Sequence, residues 1–189
     1  MQLGNVVFGL GIVCVAVLSG QTTSKGNTRP DRISSEKYGF STVFPARWYV
    51  LPGELPVFFS FPAEKMLPQG ELPPGGASIN MLVREDTLAG ADGDRLSPWA
   101  DHEIRVNDGV AIERKYVTGP AVAKESQVLE VAFDQVGLGT PSQSLRFVII
   151  FWQFRSKLFG AELCYIKGDP KGSQYERVLL DLVRSFRPI

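Results

Sequence analysis

The sequence has a single histidine, His102, and two cysteines, Cys14 and Cys164, in 189 residues. A structural zinc site needs three or four nitrogen, sulfur or carboxylate ligands, so one histidine and one or two distant cysteines exclude it in practice. Charge of one sign is also lacking, since 20 lysines and arginines stand against 20 aspartates and glutamates. Without a positive surplus to displace counterions from a phosphate backbone, nucleic-acid binding is disfavoured. No serine sits in a Gly-x-Ser-x-Gly elbow, no Gly-x-Gly-x-x-Gly occurs, and the glycine-rich "ELPPGGAS" lacks the Lys-Ser/Thr of a phosphate loop. No cofactor is expected, and no catalytic, cofactor-binding or metal-ligating set is assigned. Nor does any apolar run reach the ~20 residues that cross a bilayer.

The longest apolar run, Val6 to Leu18, has the length of a signal-peptide core, and no charged side chain precedes Lys25. With small residues at Ser19 and Gly20, residues 1–20 read as a signal peptide, although a basic residue ahead of the run is missing. The expectation is export to the periplasm or the extracellular space, with a membrane tether if the leader stays uncleaved. "LSGQ" has glutamine where a lipoprotein box has its cysteine, so a thioether lipid anchor is unavailable. Removal of the leader takes Cys14 with it and leaves Cys164 as a buried, inert thiol with no disulfide partner. Residues 21–37 are polar and rich in serine and threonine, and read as a linker that cannot offset its own ordering entropy. A single domain then covers 38–189.

Within the domain, "YGFSTVFPARWYV" reads as a first strand and turn, and "LPVFFSFP" and "ASINMLVRE" as further strands. Between the last two, the prolines and glycines of residues 63–76 predict an exposed loop. Ser97 and Pro98 predict a cap and first turn for a helix over 98–106, with Gly109 in the left-handed position after it. A hairpin competes, because Ile104 and Val106 alternate and Asp108-Gly109 is a favoured two-residue turn. "QVLEVAFDQV" alternates Leu129, Val131 and Phe133 against Glu130 and Asp134, which predicts one solvated face. "SLRFVIIFWQFRS" is apolar on both faces and must be interior to a sheet covered above and below. The final helix carries the stripe Tyr175, Val178, Leu179, Leu182, Val183 and Phe186, with Ser173 and Glu176 as an expected capping box. The layered outcome is an antiparallel sheet with helices on both faces, an α/β/α sandwich of the α+β class.

Two stretches carry a resemblance. "YGFSTVFPARWYV" resembles the Gly-Phe-Ser, Pro, Trp opening of PsbP-like domains, and "CYIKGDPKGSQYERVLLDLVRSFRPI" resembles their last strand, helix and Ser-Phe ending. The resemblance implies the same sandwich, shared by an extrinsic photosystem subunit, a eukaryotic Ran-binding protein and many exported bacterial proteins of unknown role. It implies partner binding rather than catalysis, and it carries no site residues across.

Few side chains compete with that expectation. His102 lies between Asp101 and Glu103 near Ser97, but adjacent helical residues do not face each other, so a catalytic triad is not expected. The "DGD" at Asp92 to Asp94 starts like a calcium loop and then fails at Leu96. Trp48, Trp99 and Trp152 read as core. Glu162 is the best acid/base candidate: it shares a strand face with Leu158, Gly160, Cys164 and Ile166, where desolvation raises a carboxyl pKa unless Arg114 or Lys115 pairs with it. The expected function is therefore a non-enzymatic, exported interaction domain binding an envelope or extracellular protein. The alternative is a small-molecule binder or enzyme using a cleft near Glu162.

Overall fold

The structure, a computed structural model, describes residues 32–43, 45–51, 53–67, 71–85, 94–120, 128–138 and 143–189. The leader read over 1–20 and most of the segment read as a linker lie outside the described residues. In chain order the elements are β1 (Arg32–Ser35), β2 (Phe40–Val43), β3 (Tyr49–Leu51), β4 (Val57–Phe59), β5 (Ala77–Glu85), α1 (Leu96–Val106), β6 (Val110–Val117), β7 (Val128–Leu138), β8 (Gln143–Phe154), β9 (Lys157–Ile166), α2 (Gly172–Arg184) and β10 (Arg187–Pro188). The main sheet runs β3-β4-β5-β9-β8-β7-β6 and a smaller one β1-β2-β10. All of their pairings are antiparallel.

The doubly apolar strand is interior, as its pattern requires: β8 lies between β9 and β7. Its side chains divide by parity. Leu145, Phe147, Ile149 and Phe151 share a cluster with Trp99, Ala100 and Ile104 of α1. Val148, Ile150 and Trp152 share the other with Tyr175, Leu179, Leu182 and Val183 of α2, together with Phe40 and Phe186. Burying each such large side chain stabilises the fold by roughly 1.5–3 kcal/mol before entropy is counted. The three tryptophans are all core, with Trp152 fully buried.

Several local expectations change. Residues 32–35, inside the segment read as a linker to 37, form a strand: the Arg32 guanidinium donates to the Ser41 hydroxyl at 3.1 Å, to the Ser41 carbonyl at 3.0 Å and to the Ser185 carbonyl at 2.6 Å. One polar side chain thus ties β1 to β2 and to the end of α2. The region 63–76 is not simply an exposed loop, because it holds a single 3-10 turn at Ala63–Lys65 and buries Leu72 beside Phe59 and Phe61.

The helix reading over 98–106 holds over the hairpin, but α1 starts two residues earlier and is capped differently. Asp94, rather than Ser97, supplies the cap: its Oδ1 accepts the backbone N–H of Leu96 at 3.0 Å and of Ser97 at 3.1 Å, and the Ser97 hydroxyl donates to its Oδ2. At the other end Asp108, at φ 49, takes the left-handed position, and Gly109 closes the turn by donating its N–H to the Ile104 carbonyl at 2.8 Å. The capping box on α2 is likewise absent. Its N-terminus has no side-chain cap, because Glu176 accepts the Tyr165 hydroxyl at 2.8 Å and is not turned back to the backbone.

The solvated face expected on β7 is covered. Asp134 is 3 % exposed, and its carboxylate is held by Arg146 at 3.1 Å and Lys167 at 2.8 Å, while Arg146 reaches Glu113 at 2.7 Å. Alternation of polar and apolar residues identified the two faces correctly; charge neutralisation, not water, is what the polar face meets.

Candidate functional site

Glu162 sits on β9, and the β5–β9 register sets Asn80 directly opposite it, on the cluster face that contains Leu158, Cys164 and α1. Asn80 Nδ2 donates to Glu162 Oε1 at 3.1 Å. The carboxyl is half-buried, and desolvation pushes its pKa up to about 7, against the Asn80 hydrogen bond that lowers it and with the negative charge of Glu103 that raises it further. Glu103 is delivered by α1 and accepts the Trp99 indole N–H at 2.8 Å.

Neither expected cation pairs with Glu162. Arg114 binds Asp101 of α1, and Lys115 binds Glu130 at 2.7 Å. Both lie on β6, three strands away from β9 in the sheet, which is too far for a cross-strand contact. Among the described residues the carboxyl therefore has an amide partner and a second carboxylate nearby, and no ion pair. A carboxyl in this state holds or releases a proton near neutrality, with Asn80 fixing one oxygen.

The remaining candidates are not brought together. The Ser97 hydroxyl is committed to Asp94, Asp101 to Arg114 and Glu103 to Trp99, so none of the triad's acids or its serine turns to His102. Of "DGD", Asp92 and Gly93 lie outside the described residues, and Asp94 is the helix cap. Cys164 is a buried cysteine on the Glu162 face, outside any disulfide among the described residues.

Asn80 was not singled out from the sequence. A signal was present: in "ASINMLVRE" the polar Ser78 and Asn80 alternate with Ala77, Ile79 and Met81, all three buried, which marks a face with polar demands of its own. The same holds for the Glu113–Arg146–Asp134–Lys167 chain, in which burial raises the Asp134 pKa, yet the bonds from Lys167 and Arg146 outweigh it and leave the carboxyl below its ordinary value.

No family model matches the sequence, and no curated protein does. Solved structures do match. A mutant of the protein Mog1 superposes with a TM-score of 0.52 at 14% identity, over 86% of this chain and 97% of that one. The Ran-binding protein Mog1p of Saccharomyces cerevisiae gives 0.51 at 14% identity, over 83% and 94%. Cyanobacterial PsbP (CyanoP) of Synechocystis sp. PCC 6803 gives 0.49 at 12% identity, over 90% and 99%. Against a longer chain from Bacteroides thetaiotaomicron VPI-5482 the match spans 49% of that chain. At these identities the likeness concerns backbone architecture alone: the chain has the Mog1-like fold.

Proposed function

We propose that this chain is an exported, non-enzymatic domain that binds another protein of the envelope or extracellular space, built as a sheet with a helix over each face. The observation that carries the reading is the fold it shares with the Ran-binding protein of Saccharomyces cerevisiae, at a TM-score of 0.51. Ran itself is not carried over, since one fold serves many partners. Support for the helix placement comes from β8, whose odd-numbered side chains pack with α1 and even-numbered ones with α2. Support for export comes from the uncharged apolar run Val6–Leu18, a signal-peptide core in length; among the described residues no helix is long and apolar enough to cross a membrane.

The experiment is capture from the exported fraction of the native cell with the immobilised chain, followed by competition with free chain. One partner that saturates and is competed away supports the reading. Absence of any saturable partner, together with turnover of a supplied substrate, overturns it. Mass measurement of the exported form tests the leader: an intact amino terminus means a tether.

A second reading is favoured by one specific observation, the Glu162 carboxyl with its raised pKa and amide partner. On that reading the Glu162–Asn80 pair, on the sheet face that meets α1, takes a small molecule, with Glu162 as the proton-exchanging group. Glu162→Gln then abolishes a pH dependence of ligand binding centred near neutrality; binding that keeps its pH profile in the variant eliminates this alternative.

A further inference from the structure

β6 ends the main sheet, and among the described residues no strand pairs with its outer edge. Every residue from Val110 to Tyr116 is exposed, including Val110 at 50 %, Ile112 at 47 % and Tyr116 at 58 %. A strand edge with apolar side chains in water is a template for another strand. On the inner side, regular pairing with β7 is broken by a bulge between Val110 and Glu113, where Ala111 stands at φ 52. The stretch in even register with β7 is therefore 113–117, with Ile112 at the end of the bulge.

The two faces of that ladder are fixed. Arg114 and Tyr116 oppose Val131 and Leu129, which places them on the face of α1, where Arg114 binds Asp101. Glu113 and Lys115 oppose Ala132 and Glu130 on the other face. Both remain open to further contact, with side-chain exposures of 72% for Glu113 and 66% for Lys115.

We propose that β6 pairs with β6 of a second copy of this chain, antiparallel, about a two-fold axis normal to the sheet at Arg114. Such an axis keeps each face of the joined sheet continuous, so a residue can oppose only residues of its own parity. Among registers centred on one residue of 112–116, a centre at Glu113 sets glutamate against glutamate, and a centre at Lys115 sets lysine against lysine. Centres at Ile112 or Tyr116 oppose no unlike charges. The centre at Arg114 alone sets Glu113 against Lys115 of the second copy, twice, and it brings Ile112, at the end of the bulge, toward its Tyr116. Its one like-charge pair, Arg114 on Arg114, is offset because each guanidinium is already bound to its own Asp101. Cross-strand pairs of unlike charge and of aromatic with β-branched residues are the stabilising unit of a sheet. The pairing would also join the Arg146–Glu113 contact of one copy to the Lys115–Glu130 contact of the other. Charges that guard this edge against arbitrary strands thus select one register.

The test uses the full chain with Cys14→Ser. Residues directly opposite in an antiparallel ladder have Cα atoms about 4.5–5.5 Å apart, within disulfide reach. Oxidised Arg114→Cys is expected to give a disulfide dimer; Glu113→Cys and Lys115→Cys give little alone and cross-link when mixed. In sedimentation the unaltered chain shows a monomer–dimer equilibrium that Lys115→Glu weakens by about tenfold and Glu113→Lys with Lys115→Glu restores. Circular dichroism confirms that each variant is folded. Equal cross-linking at all three positions, or a monomer at every concentration, overturns the proposal, and the latter leaves the edge to a strand of another protein. Self-association is measured without any partner, so its failure does not touch the binding reading above.

Discussion

Two carboxylates show how position in the sheet decides the state of the same chemical group. Glu162 lies among Leu158, Cys164 and α1 with only an amide to meet it, and its pKa is pushed up to about 7. Asp134 is more deeply buried but is met by two cations, and it is held below its ordinary value. The signs of their linkage to folding are opposite. For Glu162 the folded chain binds more proton than the unfolded chain between pH 4.5 and about 7, so stability falls as pH rises through that window. Glu162→Gln removes this dependence: urea midpoints at pH 8 should rise by the equivalent of roughly 1–3 kcal/mol, while at pH 4 the two proteins should be nearly alike. For Asp134 the stabilisation is present above pH 3.8 and is lost as pH falls through the depressed folded value. Asp134→Asn leaves Arg146 with Glu113 as its remaining partner and returns the half-exposed Lys167 to water, and should lower stability by about 1–3 kcal/mol at pH 7 in a denaturant titration. Glu162 was legible from its apolar strand face, but its partner was not, because the choice between Asn80 and a β6 cation depends on strand order, which alternation does not encode.

At the scale of the element, periodicity located β5 and the last helix, whereas the first helix was marked by its end signals. The extent of β5, Ala77–Glu85, coincides with the sequence reading, and α2 lies where its apolar stripe requires; α1 follows the Ser97-Pro98 and Gly109 signals, against the alternation of Ile104 and Val106 that argued for a hairpin. Which oxygen satisfies the first backbone N–H groups is settled by small differences in reach. Asp94 outcompetes Ser97 because its carboxylate carries two acceptors and takes the Leu96 and Ser97 amides as well as the Ser97 hydroxyl. Asp94→Ala should therefore lower stability by about 0.5–2 kcal/mol, whereas Ser97→Ala should cost less; thermal melts of the two variants give the order directly. At the far end of α1 the glycine is required for space rather than for its backbone angle. A Cβ on Gly109 would stand 2.7 Å from Phe133 Cδ2 and 3.0 Å from Ile104 Cγ2. Gly109→Ala is expected to cost about 1–3 kcal/mol by overpacking, while Asp108→Gly, at the left-handed position beside it, should cost nothing or stabilise slightly.

Across the whole molecule, the smaller sheet was the part least legible in the sequence, since its strands come from both ends of the described chain and two of them are polar. β1 is "RISS" and β10 only Arg187–Pro188, so neither shows a period that could be read. What assembles them is a set of contacts on the Ser185-Phe186 ending. The Ser185 hydroxyl accepts the Val43 N–H at 2.8 Å, Thr42 donates to the Leu182 carbonyl at 2.9 Å, and Phe186 packs against the rings of Phe40, Trp152, Phe154 and Phe159 at centroid distances of 5.0–6.1 Å. Phe186 thus belongs to the main core as much as to the small sheet, whereas Arg32 fastens only β1 to β2 and the end of α2. The two residues should fail differently. Phe186→Ala opens a cavity among four rings and should lower global stability by about 3–5 kcal/mol, speeding amide exchange even in β8 and β9. Arg32→Ala should speed exchange in residues 32–43 and leave β8 and β9 protected, because local opening of β1 exposes little of the core. Native-state hydrogen exchange on both variants separates the outcomes, and equal acceleration throughout the chain in Arg32→Ala would mean that the small sheet folds as one cooperative unit with the large one.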